Sequence, residues 1–344
     1  MWPSAMKLTF AFGRSPAKVR EPVAPTILSS RSSPARYVMS RNAETIESAA
    51  LAFVPLLRCV ALTGCSVRSA RRIVQLGRAF VDGEKIVDEK AMVANTSEVK
   101  ILGKPRRGVL EEIIVPARQE VYIKVYKPRG VVCSHVRQLP DTSIISDMYP
   151  DGAESCHTVG RLDLRSEGLL LITSDGFFTR SVSMPEMHVE KEYVVLVSSE
   201  PFQRPTEATL RHLRQGVDLG DGKEVAMALE AEVVQLDDSR GLARLRLVVN
   251  SGRYHLVRRM VAAIGYECKQ LIRTRIAGIR GIPVRPPGLE DAAKEDADMP
   301  VDVTKAAQGS ADDLNPGQYA KLELDEVAAV YERGLRWLDL HHPV

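Results

Sequence analysis

Nothing in this 344-residue chain approaches eighteen consecutive apolar residues, so no membrane span is expected. Cysteine is scarce. Cys59, Cys65, Cys133, Cys156 and Cys268 make an odd count of five without a C-x-x-C pair, which supports neither a disulfide framework nor a zinc site. Buried free thiols are the expectation. Also missing are a dinucleotide-binding fingerprint, a phosphate-binding loop and a cluster of metal-ligating side chains, so no cofactor and no metal is expected. A net charge of +3 is too small to name a partner. Its distribution says more.

Residues 1–43 carry seven Lys/Arg against one acid, Glu21, with seven Ser and five Pro. Such a stretch buries too little apolar surface to fold, so residues 1–45 are expected to be disordered. The basic, Ser-rich, acid-poor pattern matches organelle transit peptides and points to a mitochondrion or a plastid. The alternative is an untargeted tail on a cytoplasmic protein.

Residues 54–104 read as a small RNA-binding module. Positions 68–76 have helical spacing, with Ala70, Ile73 and Val74 on one face and Gly77 just past the end. Arg68, Arg71 and Arg72 fall mostly outside that stripe and Arg78 follows it, giving a cationic surface. Two short apolar runs then flank Asp82-Gly83, a hairpin signal. Eleven Lys/Arg against five Asp/Glu over residues 54–108 give a local net charge of +6, suited to phosphate neutralisation. A solvated helix face is the bland alternative. The block "GCSVRSARRIVQLGRAFVDGEKI" resembles an S4-type RNA-binding domain, a module at the front of many rRNA-modifying enzymes.

A charged, Pro-containing linker, 105–117, leads to a second domain at 118–335. Residues 120–126 alternate with period two, and 192–197, 229–235 and 242–249 are further strand candidates. Helices are expected at 207–215, 255–264 and 324–335. Strands dominate without regular intervening helices, so the fold class is α+β, a mixed and largely antiparallel sheet with flanking helices. Residues 283–313 hold three basic and eight acidic residues, four Pro and no aromatic, and read as a disordered surface insertion.

Four segments of this domain carry candidate chemistry: "VYKPRGVVCS" from 125, "GRLDLRSEGLLLITSDG" from 160, "EKEYVVLV" from 190 and "NSGRYHLVRRMVAAIG" from 250. Singly, each has an ordinary reading as a turn, a loop acid, a strand aromatic or a solvated helix face. In this order, behind an S4-like module, they resemble the RsuA/RluB family of pseudouridine synthases. The resemblance runs from about 118 to 335 and includes "LNPGQYAKLELDEV".

The resemblance implies an isomerase that converts a uridine of ribosomal RNA to pseudouridine, acting on rRNA or a pre-ribosomal particle as a monomer. That reaction breaks the N1–C1′ bond, turns the uracil and joins C5 to C1′, without redox or group transfer. One carboxylate suffices, as nucleophile or as base. By resemblance it is Asp163, kept ionised by Arg258, with Tyr193 against the uracil face. The family often has Gln where this chain has Leu256. Arg161 is a candidate for filling the space the base vacates or gripping its phosphate, and Lys127 for contacting RNA. The motif details lean towards the small-subunit enzyme, with a large-subunit enzyme as alternative. A non-catalytic assembly factor and an RNA glycosylase are the rival functions.

Overall fold

The computed structural model describes residues 26–29, 36–39, 53–94, 97–103, 112–115, 120–140, 142–222, 224–282 and 306–341. Thr26–Ser29 and Arg36–Met39 pair with one another as strands, and the second pairs with Met92–Ala94. The expected disorder of 1–45 therefore does not hold for these eight residues; the rest of that segment lies outside the described residues.

In the N-terminal module, helices Leu56–Ala61 and Val67–Gln75 cover a four-stranded antiparallel sheet in the order Glu84–Ile86, Ala79–Val81, Val99–Leu102, Glu112–Val115. The second helix starts where Ser66 accepts a hydrogen bond from the Ser69 amide. It ends before Gly77, at φ +64. Asp82 and Gly83 both take positive φ, as a two-residue hairpin with right-handed twist requires. The linker read at 105–117 is corrected in part. Glu112–Val115 is the outer strand of this sheet, because the β-branched run Ile113-Ile114-Val115 favours extended pairing more than its neighbours favour a loop.

The second domain is built on a ten-stranded mixed sheet. Its path runs Glu230–Asp237, Leu242–Val249, Lys191–Ser198, Glu267–Ile276, Glu167–Thr173, Tyr122–Lys127, Gln318–Lys321, Ala307–Gln308. Neighbours are antiparallel except Glu167–Thr173 with Glu267–Ile276, and Ala307–Gln308 with Gln318–Lys321. This is the α+β architecture expected.

Helices Glu207–Gln215 and Leu256–Ala263 close one end of the sheet over Val195, Val197, Leu245 and Leu247. Helices Gly176–Ser183 and Leu324–His341 cover the other end over Tyr122, Leu169 and Leu171, with Phe178 of the first helix packed on Tyr122. These last two helices approach closely at Gly334, where a β-carbon would strike Ser181 and Phe177. The C-terminal helix also reaches the N-terminal module, placing Leu335 in its core. No helix among the described residues is long and apolar enough to cross a membrane.

The insertion read at 283–313 is narrower than expected. Residues 283–305 lie outside the described residues, but Ala306 is buried, its amide donates to Met148 O at 3.2 Å, and Ala307–Gln308 extends the sheet. Of these residues Ala306 is the one packed inward, while Ala307 and Gln308 pair along the sheet edge with their side chains exposed. All five cysteines are free thiols; Cys156 is buried and the others are half-buried.

Candidate active site

The short strand His157–Val159 delivers the chain into a loop that turns at Gly160, carries Arg161, Leu162 and Asp163, and enters the buried strand Glu167–Thr173. Leu162 anchors this loop in the core. The Ser166 amide closes it by donating to Asp163 O at 3.0 Å. Its back wall is the turn Lys127-Pro128-Arg129-Gly130, where the Gly130 amide donates to Leu164 O at 2.9 Å. Gly168 follows at φ +107, and a β-carbon there would meet the backbone of Arg273 on the parallel neighbour. The glycine of the Ser166-Glu167-Gly168 run is thus demanded by close strand approach.

Tyr193 arrives from the other side. It lies on Lys191–Ser198 opposite Arg273, where the register with Glu267–Ile276 shifts between Glu192 and Tyr193. An irregularity of this kind re-aims a side chain. Tyr193 and Asp163 line one cleft of roughly 650 Å³, together with Arg161, Ser166, Lys191, Tyr254, His255 and Arg273.

Asp163 is 37% exposed in its side chain. Its near contacts are His255 Nε2, 3.5 Å from Oδ1, and Ser166 Oγ, which donates to Oδ2 at 3.4 Å. The expected ion pair with Arg258 is not present. Arg258 instead donates to Arg165 O at 2.7 Å, Ser166 Oγ at 3.5 Å and Cys268 O at 3.4 Å. It sits on the first turn of Leu256–Ala263 and faces those carbonyls, so it grips the loop that holds Asp163. The adjacent group is the imidazole of His255, just before the helix, whose left-handed backbone (φ 49) turns its ring to the carboxylate. Arg259 points elsewhere, to Asp221 at 3.0 Å and Leu219 O at 3.0 Å.

Cationic side chains gather at the floor of the cleft, with Arg273 and Lys127 buried and Lys191 half-buried. Arg273 is 2% exposed. Its Nε donates to Leu169 O at 2.8 Å, its Nη1 to Arg161 O at 3.4 Å, and its Nη2 is buried without a partner among the described residues. Burial pushes the Lys191 ammonium down to about 8, and the charge of Arg273 adds to that. Burial likewise pushes Lys127 down to about 8, against the pull of Cys133, Glu167 and Asp163.

Several expected RNA contacts need correction. Lys127 is fully buried and donates to Pro128 O at 2.8 Å and Val131 O at 2.9 Å, so it fastens its own turn and cannot reach RNA. Arg71 is buried, because it packs towards Glu89 and Asp339 and is neutralised by both. Arg78 is half-buried and donates to Gly103 O. Arg68 and Arg72 are exposed, so the basic surface of the module is narrower than the charge count implied. Arg161 is exposed at the cleft, and its guanidinium has no partner among the described residues. The structure adds His255, Ser166, Lys191 and Arg273 to the residues around the cleft. Arg273 had no readable signal, since its strand mixes charged and apolar residues without clean alternation.

Comparison with known proteins reaches the same loops. A family model described as RNA pseudouridylate synthase matches residues 121–263, from the Lys127 turn through the helix bearing Arg258. The large subunit pseudouridine synthase B of Bacillus subtilis is 30% identical over 63% of this chain and 83% of its own length. The small subunit pseudouridine synthase A of Vibrio parahaemolyticus is 31% identical over 64% of this chain and 87% of its own. The small subunit pseudouridine synthase A of Yersinia pestis is 28% identical over 78% and 93%. With the loop, the bulged tyrosine strand and the helix all inside the matched region, this chain belongs to the RNA pseudouridylate synthase family.

Proposed function

We propose that the chain isomerises a uridine of ribosomal RNA to pseudouridine, with Asp163 as the catalytic carboxylate. The observation that carries this reading is the pairing of Asp163 and Tyr193 in one cleft, on a loop and a bulged strand that the fold holds from behind. Asp163 is half-exposed, so a sugar carbon can reach it, and His255 Nε2 stands 3.5 Å from its Oδ1. Tyr193 presents an aromatic face to a uracil turned out of its stack. Whether Asp163 attacks C1′ or removes a sugar proton, the uracil must stay in the cleft while it turns, and a volume of roughly 650 Å³ admits that rotation. Arg258 acts through the backbone of Arg165 and through Ser166, as a positioning residue.

The relatives act on small- and large-subunit rRNA, and the segment "SMPEMHVEKEYVV" together with "GRYHLVRRMVAAIG" favours the small subunit. The N-terminal module supports an S4-like role, with Arg68 and Arg72 as its exposed cations. Residues 1–45 direct the chain to an organelle, which a fusion of that segment to a fluorescent protein tests; a diffuse cytosolic signal rejects it. The protein acts as a monomer, checked by its mass in solution. Catalysis is tested with rRNA transcripts carrying tritium at C5 of uridine. Tritium release without free uracil is expected. Free uracil would mean a glycosylase, and neither product would leave a non-catalytic binder.

A further inference from the structure

Tyr254 has no part in the chemistry described above, yet it is placed like a ligand-binding group. It is 75% exposed, high for so large an apolar ring. One face stacks on His255, with ring centroids 3.8 Å apart and planes within 16°. His255 in turn lies 3.5 Å from Asp163. A carboxylate, an imidazole and a phenol ring therefore step outward from the cleft in that order, and the outer ring leaves its other face to solvent.

The mount is rigid. Arg253, immediately before, holds Asp221 through both carboxylate oxygens at 2.8 and 2.7 Å and donates to Glu224 O at 2.6 Å. The helix Leu256–Ala263 begins immediately after. A ring fixed on both sides loses little freedom when something stacks on it. A uridine turned into the cleft leaves the bases beside it unstacked at the mouth, and an exposed aromatic face is what such bases pair with.

We infer that Tyr254 is the stacking platform for a base adjoining the target uridine, with His255 as the ring that holds it flat. The inference rests on the pseudouridine synthase reading above and adds a subsite to it. Tyr254 thereby selects RNA in which a neighbouring nucleotide is free to leave its helix, and it contributes to substrate capture rather than to bond making.

The test uses the full chain and a synthetic RNA centred on the uridine that the wild-type protein converts in an unmodified rRNA transcript. The nucleotides on either side are replaced in turn by abasic residues, and kcat/KM is measured for wild type and for Tyr254→Ala, Tyr254→Phe and Tyr254→Trp. Tyr254→Ala is expected to lower kcat/KM about tenfold, mostly through KM, with Phe and Trp within about threefold of wild type. An abasic residue at one flanking position should cost wild type a similar factor and cost Tyr254→Ala almost nothing more. Unfolding of Tyr254→Ala should match wild type, because the ring is exposed. Independent losses at every flanking position, or Phe and Trp as impaired as Ala, would overturn the inference. A wild-type protein that forms no pseudouridine at all fails the underlying reading instead.

Discussion

The cleft around Asp163 and the seam between the N-terminal module and the C-terminal helix are both built from charged side chains, and they treat them in opposite ways. In the seam, Asp175, Glu120, Glu89, Asp339 and Glu332 are each held by partners among the described residues. Asp175, fully buried, accepts from the Tyr122 hydroxyl at 2.8 Å, from the Tyr331 hydroxyl and from the amides of Phe177 and Phe178. Arg58 lies 3.8 Å away and also donates to Glu120 at 2.9 Å. Arg71 joins Glu89 to Asp339, and Lys90 meets Glu332 at 2.8 Å. In the cleft, by contrast, Asp163 has two long contacts, Arg273 keeps a buried Nη2 unpaired among the described residues, and His255 sits in a strained backbone. Saturated polar groups specify a structure. Polar capacity left unspent in a concave site, at some cost in stability, is what a substrate uses.

The sharpest way to break this comparison is to remove one acid from each region. Asp163→Asn should lower pseudouridine formation by at least about 10³-fold. RNA affinity and unfolding should change little, since the lost contacts are long and half-exposed. A purified mutant that still isomerises uridine would reject the assignment. Asp175→Ala should do the reverse. Breaking a buried charge pair costs about 3–5 kcal/mol, visible as a lower denaturant midpoint, while the folded fraction keeps its rate per molecule. Lost turnover with unchanged stability would show that the seam belongs to the reaction.

Arg258 and Arg259 offer a finer cut, within one helix. Arg258 clamps the loop that carries Asp163, whereas Arg259 pairs with Asp221 outside it. Misplacing a reacting group by about an ångström can cost up to about 10²-fold. Arg258→Ala is therefore expected to lower kcat about 10- to 100-fold, and Arg259→Ala less than about threefold. Equal losses would remove the distinction between clamp and neighbour.

How much of this was legible in the sequence depends on how regularly apolar and polar residues alternate or recur within a segment. Leu242–Val249 and Glu207–Gln215 match the sequence reading at both ends, because Leu245 and Leu247 alternate with Arg244 and Arg246 in the strand and Leu210 and Leu213 recur at helical spacing in the helix. Glu267–Ile276 went unread. It is a central strand between Lys191–Ser198 and Glu167–Thr173, and it buries Arg273 and Thr274 as well as Ile272 and Leu271. Helix Gly176–Ser183 was hidden for a related reason. Its start depends on Asp175 capping two amides, and its packing depends on Gly334, about 150 residues away in sequence. Asp163 and Tyr193 were found by motif resemblance. The pairing of Arg258 with Asp163 was not found correctly, since resemblance names residues but leaves their partners to the fold.

The smallest predicted effect separates the two regions by pH alone. Lys127 has its ammonium pushed down to about 8 from an ordinary value of 10.5, first by burial, and Lys191 is pushed the same way. Below about pH 8 both the folded and unfolded chains hold these protons, and the cost of burying the charges is fully present. As pH rises from there towards the unfolded value, the unfolded chain keeps protons that the folded chain has released, so stability climbs. The seam has the opposite sign. Burial first, then the charge of Asp175, holds the Tyr122 and Tyr331 hydroxyls well above their ordinary value of 10.0. Above pH 10 the unfolded chain gives up those protons first, and stability falls. Denaturant midpoints measured from pH 7.5 to 11 should therefore rise and then turn over. Lys127→Met should flatten the rise without touching the fall, and Tyr331→Phe should soften the fall without touching the rise. If either substitution altered both limbs alike, the cleft and the seam would be one electrostatic unit rather than two.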